Sequence, residues 1–313
     1  MTDHVFTICE VGSNYNGSLD CALNYLRAAK EAGADAVKFQ TLRRDKLVAP
    51  RIFADGVWID NPVYKAFSSL ELPDEWHFEL KRCAEELGIE FFSTPFYLEA
   101  VDLMERVGVR TYKIASGDIS FLPLLRAVGA TGKRVILSTG ASDLADVERA
   151  LNVLSQSGAG AVTLLHCVAN YPPRWEEMNL RAIATLKNAF GLSVGLSDHS
   201  PGNLAAIAAV ALGAVAVEKH VTFDRSQAGP DHPFAMTMTE FADMIVQLRN
   251  LELALGDGAK TGVWSEMEKQ YRLRRGIYDP ATLAPAAGKE GIWLRPQPQG
   301  PAPLPKGETK PAT

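Results

Sequence analysis

The chain has little excess charge, few cysteines and no long apolar run, and each scarcity narrows what it can be. Lysine and arginine number 32 against 37 acidic residues, a formal net charge of −5. That balance lacks the basic excess of nucleic-acid-binding surfaces, so no nucleic-acid partner is expected. No uninterrupted apolar stretch reaches the roughly 18–20 residues that span a bilayer. The first residues also lack a basic segment followed by an apolar one, as a secretion signal would have. The expectation is a soluble, cytoplasmic protein with no membrane partner. The four cysteines, Cys9, Cys21, Cys83 and Cys167, show no close-spaced pairing, and in a reducing compartment they stay thiols. Cys9 and Cys167 read first as small buried side chains, and second as a metal ligand or redox-sensitive thiol.

What is present is ample apolar material, 47% of residues against 22% charged, over 313 residues. That suits a large core. Eight apolar, β-branched runs recur at 7–10, 36–40, 89–93, 111–114, 134–138, 162–167, 193–197 and 214–220. Between them lie amphipathic stretches, among them 19–32, 74–87, 97–107, 143–157 and 203–212, each followed by a glycine that stops a helix. Strands alternating with helices imply a parallel sheet, and eight repeats favour its closure. The expected fold class is α/β, a (β/α)8 TIM barrel, which takes about 250 residues. The barrel is expected over 1–275, with a short, Pro-rich C-terminal tail over 276–313 that is disordered or extended from Pro296 onward. The stretch 42–72 is too long for a plain strand-to-helix connection and is expected to form a flap over the mouth.

The ends of the runs carry the chemistry. Glu10, Lys38 with Gln40, Thr94, Lys113 with Ser116, Ser138, His166, Ser197 with His199, and Glu218 with His220 all fall at or just beyond a run's end. A parallel barrel collects those ends on its catalytic face. Two lysines converging there repel each other unless an anion lies between them. Ammonium groups among hydroxyls suit a phosphate, while pairing with Glu10 or Glu218 is the alternative. A Schiff-base lysine fits less well, because it must be neutral. His199 and His220 end neighbouring runs, and neighbouring strands lie about 5 Å apart. They suit a shared divalent cation such as Mn2+. Gly229-Pro230-Asp231-His232-Pro233 fixes a tight loop that holds Asp231 over the mouth, or lets Asp231 cap its own turn.

Seven strings occur in order: Glu10-Val11-Gly12-Ser13-Asn14, Lys38-Phe39-Gln40-Thr41, Phe92-Ser93-Thr94-Pro95-Phe96, Lys113-Ile114-Ala115-Ser116-Gly117-Asp118, Leu137-Ser138-Thr139-Gly140, Ser197-Asp198-His199 and Glu218-Lys219-His220. With them the chain resembles the sialic acid synthase family, N-acetylneuraminate synthase and its legionaminate and pseudaminate relatives, from about residue 7 to 275. The resemblance implies that phosphoenolpyruvate condenses with the open-chain aldehyde of an N-acetylated hexosamine, giving a sialic-acid-type 2-keto sugar acid and phosphate. It implies that Lys38, Lys113, Ser116, Ser138 and Ser197 hold phosphoenolpyruvate with Gln40 and Thr94 beside it. It also implies that His199 and His220 bind Mn2+ or a similar cation. Glu10, Asp231 and Tyr171 would contact the acceptor, Glu218 would lie near the reacting carbons, and the protein would be a homodimer.

The sequence departs from the family at Tyr15, Tyr97 and Ala169, where the family usually has His, Asp and Asn. These changes bear on the acceptor more than on phosphoenolpyruvate. Family members end in an antifreeze-like domain that reaches the partner's barrel and supplies an Arg. Here the stretch after Arg275 is shorter, and Trp293-Leu294-Arg295-Pro296 resembles the surviving segment around that Arg. Arg295 is therefore a candidate acceptor contact across a dimer, or else a solvated residue in a loose tail. Two other readings stand beside the synthase: a phosphoenolpyruvate-dependent synthase with a different aldose acceptor, such as a phosphosugar, and a catalytically impaired sugar-binding barrel.

Overall fold

A strand sends alternate side chains to opposite faces of its sheet. The structure, a computed structural model, describes residues 4–260, 264–286, 288 and 290–298. The chain runs β1 (Phe6–Gly12), α1 (Leu19–Glu31), β2 (Ala36–Thr41), α2 (Arg44–Leu47), β3 (Arg51–Ala54), β4 (Val57–Asp60), α3 (Pro62–Ala66) and α4 (Asp74–Leu87). It continues through β5 (Glu90–Pro95), α5 (Leu98–Val107), β6 (Thr111–Ile114), α6 (Leu122–Ala130), β7 (Arg134–Ser138), α7 (Leu144–Gln156), β8 (Val162–Cys167) and α8 (Ala182–Phe190). Then come β9 (Ser193–Asp198), α9 (Leu204–Ala211), β10 (Ala216–Thr222), β11 (Met236–Thr237) and α10 (Met238–Leu255).

The sheet order is β1-β2-β5-β6-β7-β8-β9-β10, and β10 pairs back to β1, closing an eight-stranded parallel barrel. All eight expected runs are its strands. Inside, Ile8, Ala36, Phe92, Ile136, Leu165 and Ala216 form an apolar floor. Two residues further along the same strands stand Glu10, Lys38, Thr94, Ser138, Cys167 and Glu218. The period of two therefore puts a polar layer directly above a sealed floor. The opposite phase (Cys9, Val37, Phe91, Val135, Leu164 and Val217 among it) packs outward into the main core under the helices.

The helices form for local reasons. In α1, Ala22, Tyr25, Leu26 and Ala29 recur at three- and four-residue spacing and are all buried, which makes one core-facing stripe. Its N-cap Ser18 accepts from the Cys21 amide. In α7, Asp143 and Asp146 form a capping box, and such a cap contributes about 1 kcal/mol. α4 and α5 stop at Gly88 and Gly108, whose φ of 64° and 79° is left-handed. No helix among the described residues is long and apolar enough to cross a membrane.

The expected flap is ordered structure. β3 and β4 form an antiparallel hairpin, turned at Asp55-Gly56 with φ of 51° and 82°. Both turn residues are left-handed, the geometry that Asp-Gly favours in a two-residue hairpin turn.

The chain divides into two compact units, Met1–Leu255 and Gly256–Thr313. The first unit contains the whole barrel, β1 to β10. The second unit holds α11 (Trp264–Leu273) and an antiparallel pair, β12 (Gly276–Tyr278) with β13 (Ile292–Leu294). Ahead of the segment expected to be disordered or extended, Ile277 pairs with Trp293, and Pro285 bridges Tyr278. Backbone pairing orders this stretch in spite of its proline content. The Pro-rich stretch 299–313 lies outside the described residues.

Candidate active site

Glu10, Lys38, Lys113 and Glu218 come from four strands and meet in the polar layer. Lys38 Nζ is 3.0 Å from Glu218 Oε1, 3.2 Å from Glu10 Oε2 and 3.5 Å from Thr94 Oγ1. Lys113 Nζ donates to Ser138 Oγ at 2.7 Å and is 3.7 Å from the same Glu218 Oε1. Ser197 Oγ also donates to that oxygen at 3.1 Å, and Gln40 Nε2 donates to Glu10 Oε1 at 2.9 Å. Ser116 Oγ accepts from the Gly140 amide at 2.9 Å. The carboxylate pairing left open from the sequence is thus present for Lys38, while Lys113 rests mainly on a serine.

Burial and charge set the protonation. Burial pushes Glu10 up to about 7, opposed by Lys38 and reinforced by Glu218. Burial also works against ionised Glu218, but Lys113 and Lys38 outweigh it and hold the carboxyl down to about 2. Lys38 is raised: burial opposes its charge, and Glu10 and Glu218 overcome that. Lys113 is lowered, because burial and the repulsion of Lys38 exceed the help from Glu218. Two lysines thus converge on one firmly ionised carboxylate, in a setting of hydroxyls. Oε2 of Glu218 is buried without a hydrogen bond, so polar capacity remains for a ligand to meet.

Beside this cluster the rings of His199 and His220 lie 5.4 Å apart between centroids. His199 Nδ1 donates to the Val168 carbonyl at 3.0 Å, which leaves Nε2 with a free lone pair. Burial and the neighbouring His220 lower His199 to about 4, and burial likewise lowers His220 despite Asp231. Both rings are therefore neutral at physiological pH, as metal ligands must be. His220 Nδ1 is buried without a hydrogen bond, with Asp231 Oδ2 at 3.9 Å. This donor set fits a divalent cation held by two histidines. Among the described residues no group of three or more His, Cys, Asp or Glu is placed to hold a metal, so substrate or water would complete the coordination. Cys9 is part of the outward-facing core. Cys167 faces the site, with Sγ 4.0 Å from His199 Nδ1.

Asp231 is held where the sequence places it. Its Oδ2 accepts from the Ser13 amide at 3.2 Å and from Ser13 Oγ at 3.0 Å. The loop that carries it is pinned by His232, which bonds Thr222 Oγ1 at 2.7 Å and Asn16 Oδ1 at 2.9 Å. Tyr171 lies with its ring centroid 4.1 Å from that of His199. His166 is a satisfied core histidine, 2.7 Å from the Met178 carbonyl. Arg295 belongs to the second unit, just after β13, and is exposed.

Sequence reasoning assigned no role to two residues that the fold brings in. Asp118 sits in the 3-10 turn after β6, with Oδ2 buried and without a hydrogen bond. Burial raises its carboxyl to about 6, with Lys113 opposing. Its place in the Lys113–Asp118 string was the available signal. Phe234 places its ring centroid 5.1 Å from that of His220, and no motif announces it.

The chain has relatives among known proteins. A family model described as NeuB family matches residues 25–260. An N,N'-diacetyllegionaminic acid synthase of Campylobacter jejuni is 39% identical over 277 residues, covering 86% of this chain and 83% of that protein. A pseudaminic acid synthase of the same organism is 38% identical over 279 residues, covering 88% and 81%. Among solved structures, an N-acetylneuraminic acid (sialic acid) synthetase from Leptospira borgpetersenii superposes with a TM-score of 0.77 at 32% identity, covering 85% of this chain and 90% of that one.

Proposed function

The chain belongs to the NeuB family, and from that premise we propose that it is a transferase that condenses phosphoenolpyruvate with the aldehyde of an N-acetylated hexosamine. The acceptor would be N-acetylmannosamine or a 6-deoxy diacetamido relative. The products would be a nine-carbon sialic-acid-type 2-keto sugar acid and phosphate. Relatives that make legionaminic, pseudaminic and N-acetylneuraminic acids support this reading. The carrying observation within the chain is the convergence of Lys38 and Lys113, from separate strands, on Glu218 Oε1 at 3.0 and 3.7 Å.

Phosphoenolpyruvate is the anion that such a cluster accommodates. Lys38, Lys113, Ser116, Ser138, Ser197 and Thr94 would bind its charged oxygens, replacing mutual repulsion with charge-assisted hydrogen bonds. Glu10, Gln40, Asp231 and Tyr171 would orient the acceptor so that its aldehyde carbon meets C3 of phosphoenolpyruvate. His199 and His220 would hold a divalent cation such as Mn2+, which when bound polarises the aldehyde oxygen. As the C–C bond forms, positive charge develops at C2, facing Glu218. Water adds at C2 and gives up a proton to Glu10 or Asp118, whose carboxyls lie at about 7 and about 6, near the operating pH of a useful base. The C2–O bond to phosphate then breaks, and the lysines carry the departing charge.

A phosphosugar acceptor is less well supported. Its phosphate needs free cations at the mouth. Of the three basic residues there, Arg43 is already paired with Glu71 and Asp74, Lys46 with Glu99, and Arg44 stacks 5.0 Å from the Tyr64 ring centroid. An impaired barrel has no reason to keep the buried lysine, serine and histidine set together. A homodimer, a cytoplasmic location and an acceptor contact from Arg295 belong to the same proposal.

Phosphate release from phosphoenolpyruvate with Mn2+ tests the reading across N-acetylmannosamine, its 6-deoxy diacetamido analogues and arabinose 5-phosphate. Turnover with an acetamido acceptor is expected. Turnover only with arabinose 5-phosphate, or no phosphoenolpyruvate binding at all, would overturn it.

A further inference from the structure

Phe234 and Tyr171 flank the histidine pair from two different loops. Phe234 follows β10, with its ring centroid 5.1 Å from that of His220 and 6.4 Å from that of His199. Tyr171 follows β8, 4.1 Å from His199 and 6.1 Å from His220. The two aromatic rings are 5.2 Å apart. Neither belongs to the hydrophobic core. The imidazoles are buried, at 5% and 7% exposure, whereas Tyr171 is 53% exposed and Phe234 is partly exposed. Apolar faces beside a few convergent polar groups are the usual lining of a small-molecule pocket. The loop holding Phe234 is also fixed, since the His232 bonds to Thr222 and Asn16 anchor it.

The chemistry of the proposed reaction says what lies against these rings. The acceptor's aldehyde carbon must sit at the histidines, and C2 is one bond away. Whatever substituent C2 carries therefore falls between the imidazoles and the aromatic pair. A planar acetamido group stacks on an aromatic face and buries its methyl. A hydroxyl in the same place has no methyl to bury and gains nothing from the aromatic faces. Resting on the synthase reading, we infer that Phe234 and Tyr171 form the pocket for the acceptor's C2 acetamido group, with Phe234 as the residue that selects it over a C2 hydroxyl.

The test compares wild type, Phe234→Ala and Phe234→Tyr. N-acetylmannosamine and mannose serve as acceptors, and the non-reacting open-chain alditols of both are titrated by calorimetry. The expected result is that Phe234→Ala loses about tenfold of the preference for the acetamido acceptor, the scale of one apolar group in a pocket. The acetamido alditol should weaken to match, phosphoenolpyruvate KM should stay within about twofold, and Phe234→Tyr should keep the preference. Unchanged discrimination in Phe234→Ala, with wild type turning over the acetamido acceptor, would overturn this inference alone. A parallel loss of phosphoenolpyruvate and acceptor affinity would also overturn it, as a collapse of the site. A wild type that neither binds the acetamido alditol nor turns over any acetamido sugar would sink the synthase reading and this inference with it.

Discussion

Two carboxylates in one buried cluster are pushed in opposite directions, and the difference is set by how many lysines each faces. Glu10 meets Lys38 at 3.2 Å, while Glu218 meets Lys38 at 3.0 Å and Lys113 at 3.7 Å. Glu10 rises from 4.5 to about 7. Its carboxyl therefore ionises in the unfolded chain first, and stability falls as pH rises from about 4.5 through 7. Glu218 falls from 4.5 to about 2, so its contribution is present above about 4.5 and is lost as pH drops through 2. At about 1.4 kcal/mol per unit, each effect is on the order of 3 kcal/mol. Glu10→Gln is expected to raise the stability measured by urea unfolding at pH 8 by roughly 1–3 kcal/mol, with little effect at pH 4. Glu218→Gln should lose roughly 3–5 kcal/mol at pH 8, because it leaves Lys113 without a carboxylate partner and Lys38 with Glu10 alone. A Glu10→Gln variant that is less stable at pH 8 than at pH 4, relative to wild type, would contradict the assignment. These charged residues were legible because each ends an apolar run. Phe234 was not, because a phenylalanine in a loop looks like any other until the fold sets it against His220.

At the scale of elements, alternation and stop signals carried the barrel. Ile8 before Glu10 and Ala216 before Glu218 are the same statement of period two, and the glycines after α4 and α5 mark where each helix must end. The β3–β4 hairpin was less legible. Phe53 and Trp58 are 63% and 59% exposed, so no buried face imposes an alternation, and only the Asp55-Gly56 turn betrays it. Between elements one close approach bears on the site, at the end of β1. Gly12 has φ of +56°, and a Cβ there would lie 2.6 Å from Asp231 Oδ2. Gly12→Ala must adopt a left-handed backbone at a cost of about 1 kcal/mol and also displace the Asp231 carboxylate from Ser13. The expected outcome is a loss of about 1–2 kcal/mol in urea unfolding and a several-fold rise in acceptor KM, with phosphoenolpyruvate KM unchanged. A rise in both KM values would place Asp231 in the phosphoenolpyruvate half of the site instead.

For the whole molecule, the second unit is where sequence and structure diverge most. Disorder was expected only from Pro296 onward, and backbone pairing of Ile277 with Trp293 orders the stretch just before Arg295. Pairing between residues sixteen apart leaves no periodic trace in so short a segment, which is why it was not legible. An ordered Arg295 makes the proposed contact across a homodimer worth a direct test, because the contact predicts complementation. Glu10→Gln, which is expected to fold, disables a barrel while keeping Arg295. Arg295→Ala does the reverse. In a mixed dimer one site would join an intact barrel to an intact Arg295 only if the arginine serves the other subunit. Mixing the two variants under conditions of subunit exchange should then recover about a quarter of wild-type activity, since half the dimers are mixed and each has one complete site. If Arg295 acts within its own chain, or not at all, mixing gives only the average of the two separate activities, and sedimentation of the mixture would show whether dimers had formed to be tested.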